Sequence, residues 1–194
     1  EYRVRIGMSE PWVFEKFADQ LLDIAKRDHR VYRYFHLPVQ SGSDRVLKAM
    51  GRRYTVDEYR ALLRKIRQVL GDHVFIATDI IVGFPGEDEE DFAASVRLVE
   101  ELQFDKVHVA RFSPRPFTEA AVMPRQVPDA EKKRRSKTLS QVALRVAHLR
   151  NGLRVGQRDV VLVDEVDHGL VVGRASDYRQ VVVKRGSGDG LMGR

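Results

Sequence analysis

The run from Val74 to Val82, VFIATDIIV, constrains the fold more than any other stretch of the chain. It is nearly all apolar, so neither of its faces is left polar for water. That pattern suits a parallel strand covered on both sides by crossover helices. It ends in Gly83-Phe84-Pro85-Gly86, the chemistry of a sharp turn, and an acidic, amphipathic segment from Glu87 to about Leu102 then reads as a helix.

The same alternation extends in both directions. Tyr2 to Gly7 alternates like a strand. Ser9-Glu10-Pro11 opens a helix with apolar residues at 14, 17, 18, 21, 22 and 25. Val31 to Val39, β-branched and aromatic, reads as a second strand, and Gln40-Ser41-Gly42-Ser43-Asp44 as a turn whose Ser43 or Asp44 caps the next helix. Thr55 and Glu58 make a capping box for a helix reaching about Leu70, stopped by Gly71. Lys106 to Phe112 is a fourth strand. Strands alternating with helices predict an α/β fold, either a βα barrel or a doubly wound sheet.

Past Pro114 the texture changes. Four prolines (114, 116, 124 and 128) mark an irregular connector, and a basic helix follows from Asp129 to about Asn151, ended by Gly152. Residues 158–166, 169–174 and 179–184 read as short strands of a small all-β module. The predicted organisation is therefore 1–128 as the α/β unit, 129–152 as a basic linker helix and 153–194 as the β module.

The 194 residues contain no cysteine, which excludes disulfides, thiolate metal sites and iron–sulfur ligation within the chain. The six histidines (29, 36, 73, 108, 148 and 168) show no HxxxH or HExxH spacing, so no metal centre is expected from them. No apolar run is long enough to span a membrane and no leader pattern opens the chain. A net charge of +6 favours an anionic partner such as nucleic acid, or reflects only a solvated basic surface.

Two loops sit where βα folds bind ligands, at strand carboxyl ends. Gly83 and Gly86 either admit a ligand to the backbone or simply permit a tight turn. Glu87, Asp88 and Glu89 complement the helix dipole there and disfavour a phosphate. Gln40 and Ser41 are polar and un-ionised, apt for hydrogen bonds to a ribose or carboxylate, or for a capped turn. Arg115, between two prolines, contacts an anion or is a plain surface arginine. KKRRSK (132–137) is a phosphate-contacting strip or a charged helix face.

HLPVQSGSDRVLKAMGRRYTVDEY (36–59), TDIIVGFPGEDEEDF (78–92) and FSPRPFTEAAVMPRQVP (112–128) together resemble the radical-SAM methylthiotransferases that modify tRNA. RIGMSEPWV, KKRRSKTLSQV and GLMGR look most like the archaeal and eukaryotic branch, which acts on N6-threonylcarbamoyladenosine beside the anticodon. The isopentenyladenosine branch is the nearest alternative, and a non-catalytic RNA-binding protein with a degenerate barrel is the other.

The resemblance implies the second half of a radical-SAM partial (βα)6 TIM-like barrel followed by an incomplete OB-like TRAM domain. It implies S-adenosylmethionine as cofactor, held by Gln40, Ser41, Val82, Gly83, Phe84, Arg111 and Ser113. It also implies tRNA as partner, and the basic residues Arg52, Arg53, Arg115, Lys132, Lys133, Arg134, Arg135 and Lys137 are expected to meet it. Two 4Fe-4S clusters belong to the family's full-length form, whose C-x3-C-x2-C triplet is not in this chain. The chain, which opens without Met, is expected to be a cytoplasmic piece of a longer enzyme, inactive without its missing N-terminal half and poorly soluble through the strand edge at Tyr2–Ile6.

Overall fold

A computed structural model describes residues 2–167 and 170–184. Strands β1 (Tyr34–His36), β2 (Phe75–Val82) and β3 (Lys106–Arg111) form a parallel sheet in that order. Helices α1 (Pro11–Glu15), α2 (Ala18–Arg27), α3 (Asp44–Ala49), α4 (Val56–Leu70) and α5 (Glu89–Leu102) alternate with the strands. A short α6 (Glu119–Val122) and the long α7 (Asp129–Gly152) follow. The α4 capping box forms as the sequence predicts, with Thr55 and Glu58 satisfying each other's backbone amides. Gly71 takes φ +83° to end that helix.

The sheet has two unlike faces. Its outer face packs Phe35, Leu37, Ile76, Ile80 and Val82 against Leu22, Leu63, Leu98 and Leu139 of the helices in one apolar core. Thr78 shares that face because its hydroxyl is satisfied, donating to the Leu37 carbonyl at 2.9 Å. The inner face is open: Lys106, His108 and Ala110 of β3 are exposed. The parallel sheet thus curves as an open half-barrel, and its inner wall and carboxyl edge are free for function.

Several boundaries differ from expectation. The segment at Tyr2–Ile6 is not a strand; Val4 alone bridges Val31, through its amide to the Arg30 carbonyl and its carbonyl to the Tyr32 amide. The 31–39 strand contracts to Tyr34–His36, and Pro38, which has no N–H, cannot extend the ladder. The first helix divides into α1 and α2 at Lys16–Phe17. Helix α5 begins at Glu89 because Asp88 is its N-cap, paired reciprocally with Asp91. Glu87 is therefore not in the first turn and does not complement the dipole.

Helix α7 packs along β3 and α5 through Leu139, Val142, Ala143 and Val146, and so serves as an outer helix of the half-barrel. Strands β4 (Leu162–Asp167), β5 (Leu170–Arg174) and β6 (Gln180–Lys184) form an antiparallel meander. Its β5–β6 turn docks on the amino-terminal end of the half-barrel. Tyr178 lies edge-on to Tyr32 and Tyr34, and the Ser176 carbonyl accepts from the Arg33 amide at 3.0 Å. Buried Asp105 fastens three elements, accepting from the Ile76 amide, Arg150 of α7 and Arg179 beside the turn. His168 and the GLMGR stretch lie outside the described residues.

Candidate functional site

Where β2 and β3 end, the half-barrel opens into a cavity of about 440 Å3. Its walls include Ile81 and Phe84 from the β2 end, Arg111 and Ser113 from the β3 end, and Arg52 and Arg115 from flanking loops. Five residues singled out from sequence thus meet in one place: Arg52, Phe84, Arg111, Ser113 and Arg115. Phe84 is pinned edge-on against Phe112 at 5.2 Å, and the Phe112 amide donates to the Val82 carbonyl at 2.9 Å. These contacts continue the β2–β3 pairing into the rim.

The glycine turn beneath that rim is held from behind by α7. Gly83 stands at φ +77°, and a Cβ there would overlap the Lys132 stem, 3.2 Å from its Cδ and nearer still to its Cγ. Gly86, at φ +81°, is less crowded: a Cβ there would stand 3.1 Å from the Arg125 guanidinium, and the Arg125 carbonyl accepts the Gly86 amide at 2.9 Å. What crowds these glycines is the protein itself. The inward-turned Glu87 carboxylate accepts from the Gly83 amide at 2.9 Å and from Arg135 at 2.7 Å. Burial pushes the Glu87 carboxyl up, while the Gly83 and Arg135 hydrogen bonds pull it back down. Arg135 also reaches the Glu87 carbonyl at 3.1 Å and Glu131 at 2.8 Å.

This packing divides the basic stretch. Lys132 and Arg135 are buried as struts of the turn, so phosphate cannot reach the Arg135 guanidinium without breaking its ion pairs. Arg134 is exposed but paired with Glu89 and Glu131, whereas Lys133 and Lys137 are exposed on the outer side. Arg53 stacks over Trp12 at 5.0 Å, and Arg52 pairs with Glu10 at 2.9 Å.

The β1 loop divides in a similar way. Ser41 is fully buried, its hydroxyl accepting from the Ser43 amide, and Gly42 is pressed against α5, where a Cβ would meet Ser95 backbone at 2.6 Å. Val82 points into the core. Ser41 and Val82 therefore shape the site without presenting side chains to the cavity. Gln40 is different. Its backbone, at φ +68°, bridges β2 at Ile80: the Gln40 amide donates to the Asp79 carbonyl and its carbonyl accepts from the Ile81 amide. Its side-chain oxygen is buried with no hydrogen-bond partner among the described residues. An orphaned buried acceptor is costly unless something donates to it. A ligand bearing hydroxyl or amine donors fits that need.

One constellation was not expected from sequence. On the inner wall, His36 of β1 meets Asp79 of β2 at 2.7 Å, and His108 of β3 lies with its ring 5.5 Å from that of His36. Asp79 and His108 are register partners, one step below the Ile81–Ala110 pair that lines the cavity. Burial first, and Lys106 second, push the His108 imidazole down from its ordinary value.

Fold and cavity together define an α/β half-barrel with a cavity at the carboxyl edge of its strands. The family model of the radical SAM superfamily matches residues 2–99. The chain belongs to the radical SAM superfamily, whose enzymes use S-adenosylmethionine with an iron–sulfur cluster. A probable threonylcarbamoyladenosine tRNA methylthiotransferase from Pyrococcus horikoshii is 40% identical over 187 residues, covering 96% of this chain and 43% of that protein. A tRNA-2-methylthio-N(6)-dimethylallyladenosine synthase from Dictyoglomus thermophilum is 41% identical over 182 residues, covering 92% of this chain and 40% of the relative. The chain thus spans about two-fifths of the length of these curated relatives. Among solved structures, coproporphyrinogen III oxidase from Escherichia coli, a radical SAM enzyme, matches with a TM-score of 0.56 at 21% identity, over 72% of this chain and 32% of that one. It supports the partial-barrel fold.

Proposed function

We propose that the chain is part of a tRNA methylthiotransferase that modifies C2 of N6-threonylcarbamoyladenosine beside the anticodon. The observation that carries this reading is the carboxyl-edge cavity, with Arg111 and Ser113 in its wall and the unpartnered Gln40 oxygen on the neighbouring strand end. The names of the 40%-identical relatives supply the reaction and the tRNA partner.

In this reading S-adenosylmethionine, reduced at a cluster, supplies the radical chemistry. The chain's residues position it and exclude water. Gln40 accepts a hydrogen bond from the cofactor, and Arg111 meets its carboxylate. Phe84 closes the apolar side, and the Glu87–Arg135 pair fixes the turn that carries Phe84. The chain has no cysteine with which to ligate a cluster. We place the ligands of both 4Fe-4S clusters in residues outside it. RNA meets Lys133 and Lys137 on the outer side of α7, with Arg115 at the cavity rim. We do not retain Lys132 and Arg135 as RNA contacts.

Nucleoside analysis of tRNA from a strain lacking the gene tests the reading. The 2-methylthio derivative of threonylcarbamoyladenosine should vanish, leaving the unmethylthiolated nucleoside. Loss of the dimethylallyl derivative instead would favour the second reading, which the Dictyoglomus relative supports equally by identity. An unchanged nucleoside profile would reject both.

A further inference from the structure

The two readings differ in what hangs from the adenine N6: a carbamoyl-threonine, rich in donors and acceptors, or an isoprenoid that has neither. The half-barrel's inner wall distinguishes them. In the reading above the base enters the cavity lined by Ile81 and Ala110, and the next side-chain layer down the same strand face, about 7 Å deeper, holds Asp79 and His108. His36 completes the layer from β1. An apolar substituent reaching this depth would strip water from two imidazoles and a carboxylate without replacing its hydrogen bonds. A polar one would satisfy them.

We propose that His36, Asp79 and His108 form the subsite for a polar, hydrogen-bonding N6 substituent on the target adenosine, and that they select against an isoprenoid. This rests on the tRNA methylthiotransferase reading above. The division of labour follows from the geometry. His36 donates to Asp79 at 2.7 Å and holds that carboxylate in place, with side chains 17% and 26% exposed. The ring of His108 is exposed on the inner face. Asp79 keeps a second oxygen for a substituent N–H or O–H, and His108 offers ring nitrogens that either donate or accept.

The ligand atoms of the three groups also lie within 4.8 Å of one another, as a divalent metal centre would require. Lys106 shares the inner face of β3, and its positive charge beside the cluster favours direct hydrogen bonding over a cation.

Sites built to hydrogen-bond a substrate group reject analogues that lack it far more strongly than apolar pockets discriminate by size. The test uses the cluster-loaded full-length enzyme and anticodon stem-loop RNAs carrying threonylcarbamoyladenosine, dimethylallyladenosine or unmodified adenosine. Wild type should bind the threonylcarbamoyl RNA at least about tenfold more tightly than the dimethylallyl RNA. His108→Phe should shrink that ratio about tenfold, and His108→Asn, which keeps a donor and an acceptor, should preserve most of it. Asp79→Asn provides a second perturbation should the Phe variant fold poorly, and it should shrink the ratio too.

Equal binding of both modified RNAs by wild type, or a ratio unmoved by His108→Phe and Asp79→Asn, overturns the subsite while leaving the enzyme class standing. Failure of all three RNAs to bind overturns the underlying reading instead. Stoichiometric zinc binding that Asp79→Asn abolishes would make the cluster a metal centre and reject the proposal.

Discussion

Replacing Arg135 by alanine probes the strut behind the glycine turn. The Glu87 side chain is 1% exposed, and Arg135, 6% exposed, is its ion-pair partner among the described residues. Removing one member of a buried pair leaves an uncompensated charge, which destabilises by about 3–5 kcal/mol. The loss should depend on pH. Burial already pushes the Glu87 carboxyl above its ordinary value, and without Arg135 that rise grows. A carboxyl whose folded pKa exceeds its unfolded pKa binds more protons when folded. Stability then falls as pH rises through the window between the two values, and recovers as pH falls through it. Urea titrations of wild type and R135A at pH 7.5 and pH 5 should therefore show the gap narrowing at the lower pH. Adding Glu87→Gln to R135A should remove the extra pH dependence. A gap below about 1 kcal/mol at pH 7.5, or one independent of pH in R135A, would refute the strut.

Other substitutions separate structure from binding. Gly83→Ala, at φ +77° and against the Lys132 stem, should cost about 2–3 kcal/mol in urea unfolding, and adding Lys132→Ala should recover only the part due to overlap. Gln40→Leu should weaken S-adenosylmethionine binding about five- to tenfold in calorimetry, the worth of one hydrogen bond, while leaving the unfolding midpoint nearly unchanged. Changing Lys133 and Lys137 together to glutamine should lower the slope of log affinity for tRNA against log salt by about 2. An unchanged slope would remove that face of α7 from the RNA surface.

The α/β class, the glycine turn that ends β2 and the Thr55 capping box are legible because each rests on residues near in sequence. The Tyr2–Ile6 strand is not. Alternation there describes a segment able to pair, and among the described residues only Val4 of that segment forms a β-bridge. Glu87 was misjudged by a single residue: with Asp88 as the cap, it faces the turn and not the helix end. KKRRSK has the composition of a phosphate strip, but a helix presents its residues to different sides. Lys132 and Arg135, three apart, join Leu139 on the packed face, and Lys133 and Lys137, four apart, face outward. Composition could not assign those sides without knowing what lies beneath. The His36–Asp79–His108 layer was invisible for a plainer reason. The three residues are brought together only by the register of three parallel strands, and no short motif links them.

We propose that the carboxyl-edge cavity holds S-adenosylmethionine. Equilibrium dialysis of the cofactor against cluster-loaded wild-type enzyme and a Gln40→Leu, Arg111→Ala double variant tests it most directly. Wild type should bind saturably and one-to-one, and the variant should lose at least about tenfold in affinity, with the fold intact by circular dichroism. Equal affinity for the two proteins would place the cofactor outside this cavity.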